Sequence, residues 1–112
     1  MHRSWRETVR VNLSRMEYEI GLKLQQSGIV YQSQVEIPVT TADFYFPIEP
    51  RPLVVFVDGN VHLGKTQMLK DEETRMLLRK RGYRLLELYY ESYSAKKRDE
   101  LYNEILGNLG RS

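Results

Sequence analysis

Two aspartates and a histidine are the residues of this sequence best suited to chemistry. Asp58 closes the apolar part of the run Arg51-Pro-Leu-Val-Val-Phe-Val-Asp-Gly-Asn-Val-His62, and His62 follows four positions later. Asp43 interrupts the strand-like run Thr40-Thr-Ala-Asp-Phe-Tyr-Phe46. Aspartate is disfavoured inside a strand, and a residue set against local propensity marks a candidate functional position. Carboxylate oxygens are hard donors of the kind Mg²⁺ prefers. A neutral imidazole can take a proton from water or assist a leaving group. Brought to one end of a sheet, Asp43, Asp58 and His62 would suit a divalent metal and a water to be deprotonated, the chemistry of phosphodiester hydrolysis. The backbone carbonyl of Val57 is a further oxygen donor that needs no particular side chain. Asp71, in the first turn of the next predicted helix, could hold and orient His62. Each residue also has a plainer use. Asp58-Gly59 is a turn signal, a lone loop histidine is commonly solvated, and an aspartate early in a helix suits the dipole.

The elements that must position these residues follow from hydrophobic period and stop signals. Ser14-Arg-Met-Glu17 has the form of a capping box. It opens a helix with apolar positions at Met16, Ile20, Leu22 and Leu24 and a stop signal at Gly28. Within that pattern Glu17 is fully accounted for as the capping acid. Ile29 to Val39 alternates apolar and polar residues, which predicts a half-exposed strand. Ala42 to Phe46 is a second strand, and Pro47 to Pro52 is a tight connection. Leu53 to Val57 is an unbroken apolar run, suited to a central strand covered on both faces. A loop then carries His62, Gly64 and Lys65. A helix is predicted from Gln67 to Arg81, ending at Gly82. Tyr83 to Tyr90 is a fourth strand, parallel to the third because a helix connects them. Ala95 to Leu109 is a final amphipathic helix that covers the sheet. The order is α-β-β-β-α-β-α in one domain over residues 1–112, with residues 1–12 open to reading as a short helix, an expression remnant or, the leading expectation, a flexible arm.

Composition narrows the function classes. The 112 residues suffice for one modest core. The absence of cysteine excludes disulfides, thiolate catalysis and cysteine-ligated metals. No apolar stretch has membrane-spanning length, and the N-terminus lacks a secretory core, so a cytoplasmic location is expected. A net charge of +2 neither requires nor forbids nucleic acid. Basic residues cluster at Arg79-Lys-Arg81 and Lys96-Lys-Arg98; either cluster alone is most simply a solvated helix face.

Taken together these segments resemble a family. Ala42-Asp-Phe-Tyr-Phe-Pro47, Leu53-Val-Val-Phe-Val-Asp-Gly-Asn-Val-His62, Lys70-Asp71 and Arg81-Gly-Tyr-Arg-Leu-Leu86 look like the very-short-patch-repair endonucleases and related homing-endonuclease catalytic domains, within the PD-(D/E)XK superfamily. The resemblance covers most of the chain from Ser14 to Tyr90. It implies an α/β (mixed α+β) restriction-endonuclease-like αβββαβ core, here with an additional C-terminal helix, and metal-dependent cleavage of DNA with Mg²⁺ or Mn²⁺. By that resemblance Asp43 is the principal metal ligand. Val57 offers its main-chain carbonyl, and Asp58 lies beside the metal. His62 is the general base or a water-orienting group, Asp71 its partner, and Glu17 approaches from the first helix. Phe56 and Asp58 stand where the superfamily commonly has Glu or Gln and Lys. Zinc-binding cysteines and a mismatch-wedging aromatic insertion are absent, so T·G mismatch specificity is not implied.

The leading expectation is therefore a DNA endonuclease. The alternative on the same fold is a non-catalytic DNA-binding module, with Lys65, Lys70, Arg79, Arg81 and Lys96 to Arg98 on phosphates. An oligomerisation module is a third reading. A homodimer through the final helix, or a larger parent protein, remains open.

Overall fold

The computed structural model describes residues 14–37, 40–59 and 64–110, with only the helical backbone described for 64–71. Among the described residues three helices and four strands follow in the order α1 (Arg15–Gln26), β1 (Gln32–Ile37), β2 (Thr40–Phe46), β3 (Leu53–Asp58), α2 (Gly64–Lys80), β4 (Arg84–Tyr89) and α3 (Ala95–Asn108). The strands form one mixed sheet in the order β1-β2-β3-β4. The first two pairings are antiparallel and the last is parallel.

Both ends of α1 and the exit of α2 follow the sequence signals, whereas α2 opens at Gly64 rather than at Gln67. Ser14 is the N-cap of α1, and its hydroxyl accepts from the Glu17 N–H at 3.2 Å. At the other end the Gly28 N–H bonds to the Gln25 carbonyl and the Ile29 N–H to the Leu24 carbonyl. Gly28 sits at φ 71°, a conformation that costs a residue with a Cβ. This exit takes Ile29 out of the predicted strand. Ile29 is buried in the same cluster as Leu24, and β1 begins only at Gln32. The α2 exit repeats the pattern, with Gly82 at φ 95° and the Tyr83 N–H on the Leu78 carbonyl. Pro38 and Val39, the end of the predicted first strand, lie outside the described residues, as does the 1–12 arm.

The core has two sides. Met16, Ile20 and Leu24 of α1 and Leu101 and Ile105 of α3 pack with Phe44, Phe46, Leu53, Val55, Val57 and Leu88 on one face of the sheet. On the other face Leu78 of α2 packs with Val54, Ala42 and Ile37. Consecutive β3 residues therefore serve opposite clusters, which is why its apolar run is unbroken. The final helix covers the sheet as its apolar stripe predicts. It is tied to α1 by Arg98, which donates to Glu19 at 3.0 Å and to Asp99 at 2.9 Å. Arg15 also lies 4.1 Å from the Tyr93 ring centre. Among the described residues no helix is long and apolar enough to cross a membrane.

Leu78 is fully buried and anchors α2 to the sheet. Leu78→Ala is expected to lower the unfolding free energy by about 2–5 kcal/mol, measured by urea denaturation.

Candidate functional site

The site forms where the sheet opens. Antiparallel pairing between β2 and β3 runs through Phe46–Leu53, Tyr45–Val54 and Phe44–Val55 and stops there. Beyond that rung the Val57 N–H has no partner strand in register. The Asp43 carboxylate takes it instead, with Oδ2 accepting at 2.7 Å. Backbone groups of a strand alternate between its two neighbours. Asp58 faces β4, where its carbonyl accepts from the Tyr90 N–H at 3.1 Å. The carbonyl of Val57 thus shares the direction of its N–H, toward the opening beside Asp43.

The β1–β2 ladder is distorted at the same level. Ser33–Phe44 and Val35–Ala42 are paired, while Gln34 and Asp43, which face each other between them, are not. Gln34 lies at φ 53°, a left-handed conformation uncommon for a residue with a Cβ. Phe44 belongs to one core cluster and Ala42, two residues away, to the other. The strand changes the face it serves at Asp43. The side chain of Gln34 turns into the opening, where Nε2 donates to Asp43 Oδ1 at 3.3 Å and reaches Glu17 Oε1 at 3.5 Å. Carboxylates only accept, so the amide nitrogen is the end of Gln34 that belongs there.

Glu17 comes from the first turn of α1 and is only 8% exposed. It accepts from the backbone N–H and hydroxyl of Ser14, so it completes the capping box and reaches the acidic centre at once. Burial raises its pKa to about 8, and the charges of Asp43 and Asp58 push in the same direction. Burial likewise raises Asp43 to about 6; the Val57 N–H and Gln34 bonds oppose the rise and Asp58 adds to it. Three carboxyl groups from α1, β2 and β3 therefore sense one another in a poorly hydrated place. A cluster of perturbed acids of this kind is a recognised mark of a functional site.

The structure thus brings together Glu17, Asp43, Asp58 and the carbonyl of Val57. His62 lies outside the described residues. Asp71 sits roughly two turns into α2 rather than in its first turn, because the helix begins at Gly64 instead of Gln67. Its side chain is not among those described, nor are those of Lys65 and Lys70, whose backbones lie in the N-terminal half of α2. Arg79 and Arg81 are separated from the centre. They stand at the C-terminal end of α2, and 17 residues of helix span about 25 Å. Lys65 and Lys70 thus lie in the N-terminal half of α2, and Arg79 and Arg81 at its far end. Arg98 is held in its ion pairs with Glu19 and Asp99.

Two contributors carried no sequence signal. Gln34 is one, because nothing in Tyr-Gln-Ser-Gln-Val announces a left-handed residue. Tyr90 is the other. Its hydroxyl lies 3.0 Å from where a Cβ on Gly59 would stand, so this ring packs against the backbone just after Asp58 and would have to shift by a few tenths of an ångström to admit a side chain there.

The donors available to a metal are oxygens throughout, a set that fits a hard divalent cation by its chemistry. Among the described residues no group of three or more His, Cys, Asp or Glu side chains is placed to hold a metal ion. In comparisons with known proteins, no family model, curated protein or solved structure matches this chain.

Raised carboxyl pKa values mean that folding favours the protonated forms. For Glu17 the stabilising proton is fully held below about 4.5 and is lost as pH rises through about 8. Stability of the metal-free protein is therefore expected to fall from pH 5 to pH 9. A tenfold change in proton affinity on folding corresponds to about 1.4 kcal/mol. Glu17→Gln keeps an acceptor for the helix cap and removes the buried charge. It is expected to flatten the pH dependence of the thermal midpoint and to be more stable than wild type at pH 9. An unchanged slope would contradict the shared-site electrostatics.

Proposed function

We propose that this protein is a metal-dependent DNA endonuclease on a restriction-endonuclease-like core, of the kind found in very-short-patch-repair enzymes. The observation that carries the reading is the convergence of Asp43, Asp58 and Glu17 at the open end of the β2–β3 ladder. The αβββαβ element order, written into the sequence and matched by the mixed four-stranded sheet, agrees with it.

In this reading Asp43, Asp58 and the carbonyl of Val57 hold a Mg²⁺ or Mn²⁺ ion. When bound, such an ion polarises a phosphoryl oxygen and lowers the pKa of a coordinated water. The protein's own groups do the rest. The Val57 N–H and Gln34 fix the orientation of the Asp43 carboxylate, so its position is set before substrate arrives. Glu17, which keeps its proton at neutral pH in the metal-free protein, can donate a hydrogen bond beside Asp43. His62 serves as general base, with Asp71 orienting it. A histidine in that role replaces the lysine that the strand motif of this chain lacks.

A second reading, DNA binding without cleavage, draws on one feature of the site. Asp43 already closes the ladder by taking the Val57 N–H, a purely structural use of the carboxylate. Cleavage assays separate the two. Purified protein is expected to cut plasmid or oligonucleotide DNA with Mg²⁺ or Mn²⁺ and to be inactive in EDTA. Asp43→Asn is expected to lower the rate by about 10²-fold or more, the scale on which removal of a group acting in the transition state is felt. Undiminished cleavage by a correctly folded Asp43→Asn protein, confirmed by circular dichroism, would end the assignment.

A further inference from the structure

We propose that the end of the sheet opposite the acidic centre is a second contact surface, one that grips the phosphate backbone of duplex DNA at a distance from the cut. The proposal takes its partner from the DNA reading above, but it concerns different residues. The basic side chains of this protein divide by their partners. Arg15, Lys23, Arg75, Lys97 and Arg98 form ion pairs with Glu19, Asp99, Glu87, Glu100 and the Glu19–Asp99 pair respectively. Arg84 donates to the Asn108 carbonyl at 2.9 Å. Arg51, Arg79, Lys80 and Arg81 are all exposed, and among the described residues none of the four is in an ion pair.

Topology places these four at one end of the molecule. The Arg81 N–H closes the last turn of α2 on Leu77 and Leu78. The chain then passes through Gly82 and Tyr83 to Arg84, whose N–H bonds to the Pro52 carbonyl at 2.9 Å. Arg51 is the neighbour of Pro52. The start of β3 and the exit of α2 are thus joined, and each of the four residues lies within five positions of that joint along the chain. Glu49 is the acid nearest to Arg51 along the chain. Lys96, the other exposed lysine without an ion pair among the described residues, belongs to the first turn of α3 and stands apart from the cluster.

The charge type decides the partner. Guanidinium groups match phosphate oxygens bidentately, and unpaired cations on a surface bind nucleic acid chiefly by releasing condensed counterions. The five residue steps from Pro52 to Val57 span about 17 Å of extended strand, about five base pairs of duplex. A surface here would hold the DNA flank, with Asp43 and Asp58 at the cut.

The test is fluorescence anisotropy with a labelled duplex of about 20 base pairs in EDTA, titrated at several salt concentrations. The full chain is compared with Arg79→Gln/Lys80→Gln/Arg81→Gln and, separately, with Arg51→Gln, each checked for folding by circular dichroism. The triple variant is expected to bind at least tenfold more weakly at low salt. Its log–log salt slope should be shallower by about 2–3, and that of Arg51→Gln by about 1. Affinity within about twofold of wild type and an unchanged slope would overturn the proposal, as would wild type failing to bind duplex DNA at all. Preferential binding of single-stranded RNA would overturn the choice of partner. Cleavage is read separately with Mn²⁺. A protein that binds through this end and never cuts sinks the nuclease reading alone; one that cuts while the triple variant binds like wild type sinks this surface alone.

Discussion

The arrangement of this protein's acidic centre turns on one hydrogen bond, from the Val57 N–H to the Asp43 carboxylate. A strand that parts from its neighbour leaves backbone donors without partners, and a buried donor must find one. Asp43 supplies it and in doing so fixes its own carboxylate at the point where β2 and β3 separate. The same bond brings an acid from one strand close to Asp58, at the end of the next. Burial and mutual repulsion then raise the pKa values of Asp43 and Glu17. Folding brings like charges together here, so the centre is held against its own electrostatics by the surrounding core.

That core explains why the centre persists. Met16, one residue before Glu17, and Phe44, one residue after Asp43, are both fully or almost fully buried in a single cluster with Val57. Each acid is carried by a neighbour locked into apolar packing, which strongly favours the folded state. Gln34 adds polar support between Glu17 and Asp43 at the expense of a left-handed backbone, a strain of the kind found at functional sites. On the β4 side, Tyr90 extends the ladder past Asp58 and lies against Gly59.

Much of this architecture was legible in the residues. An unbroken apolar run had to be a strand covered on both faces, and β3 feeds both core clusters. Ser14, Gly28 and Gly82 marked helix boundaries because their backbone requirements are local. Asp43 stood out because it violated strand propensity. What could not be read were effects of tertiary geometry. Gln34 adopts a conformation that its type disfavours. Ile29 was absorbed into a helix exit rather than a strand. The separation of Arg79 and Arg81 from the acids follows from the length and direction of α2, which local charge patterning does not reveal.

We propose that Glu17, Asp43, Asp58 and Val57, at the parting of β2 and β3, receive a divalent cation. The most direct measurement is a Mn²⁺ titration of the isotopically labelled protein followed by amide NMR. The account predicts that paramagnetic broadening begins at Gln34, Asp43, Val57 and Asp58 and reaches Glu17, while the Arg79–Arg81 turn stays sharp. Broadening centred elsewhere, or none at Mn²⁺ in large excess, would contradict it.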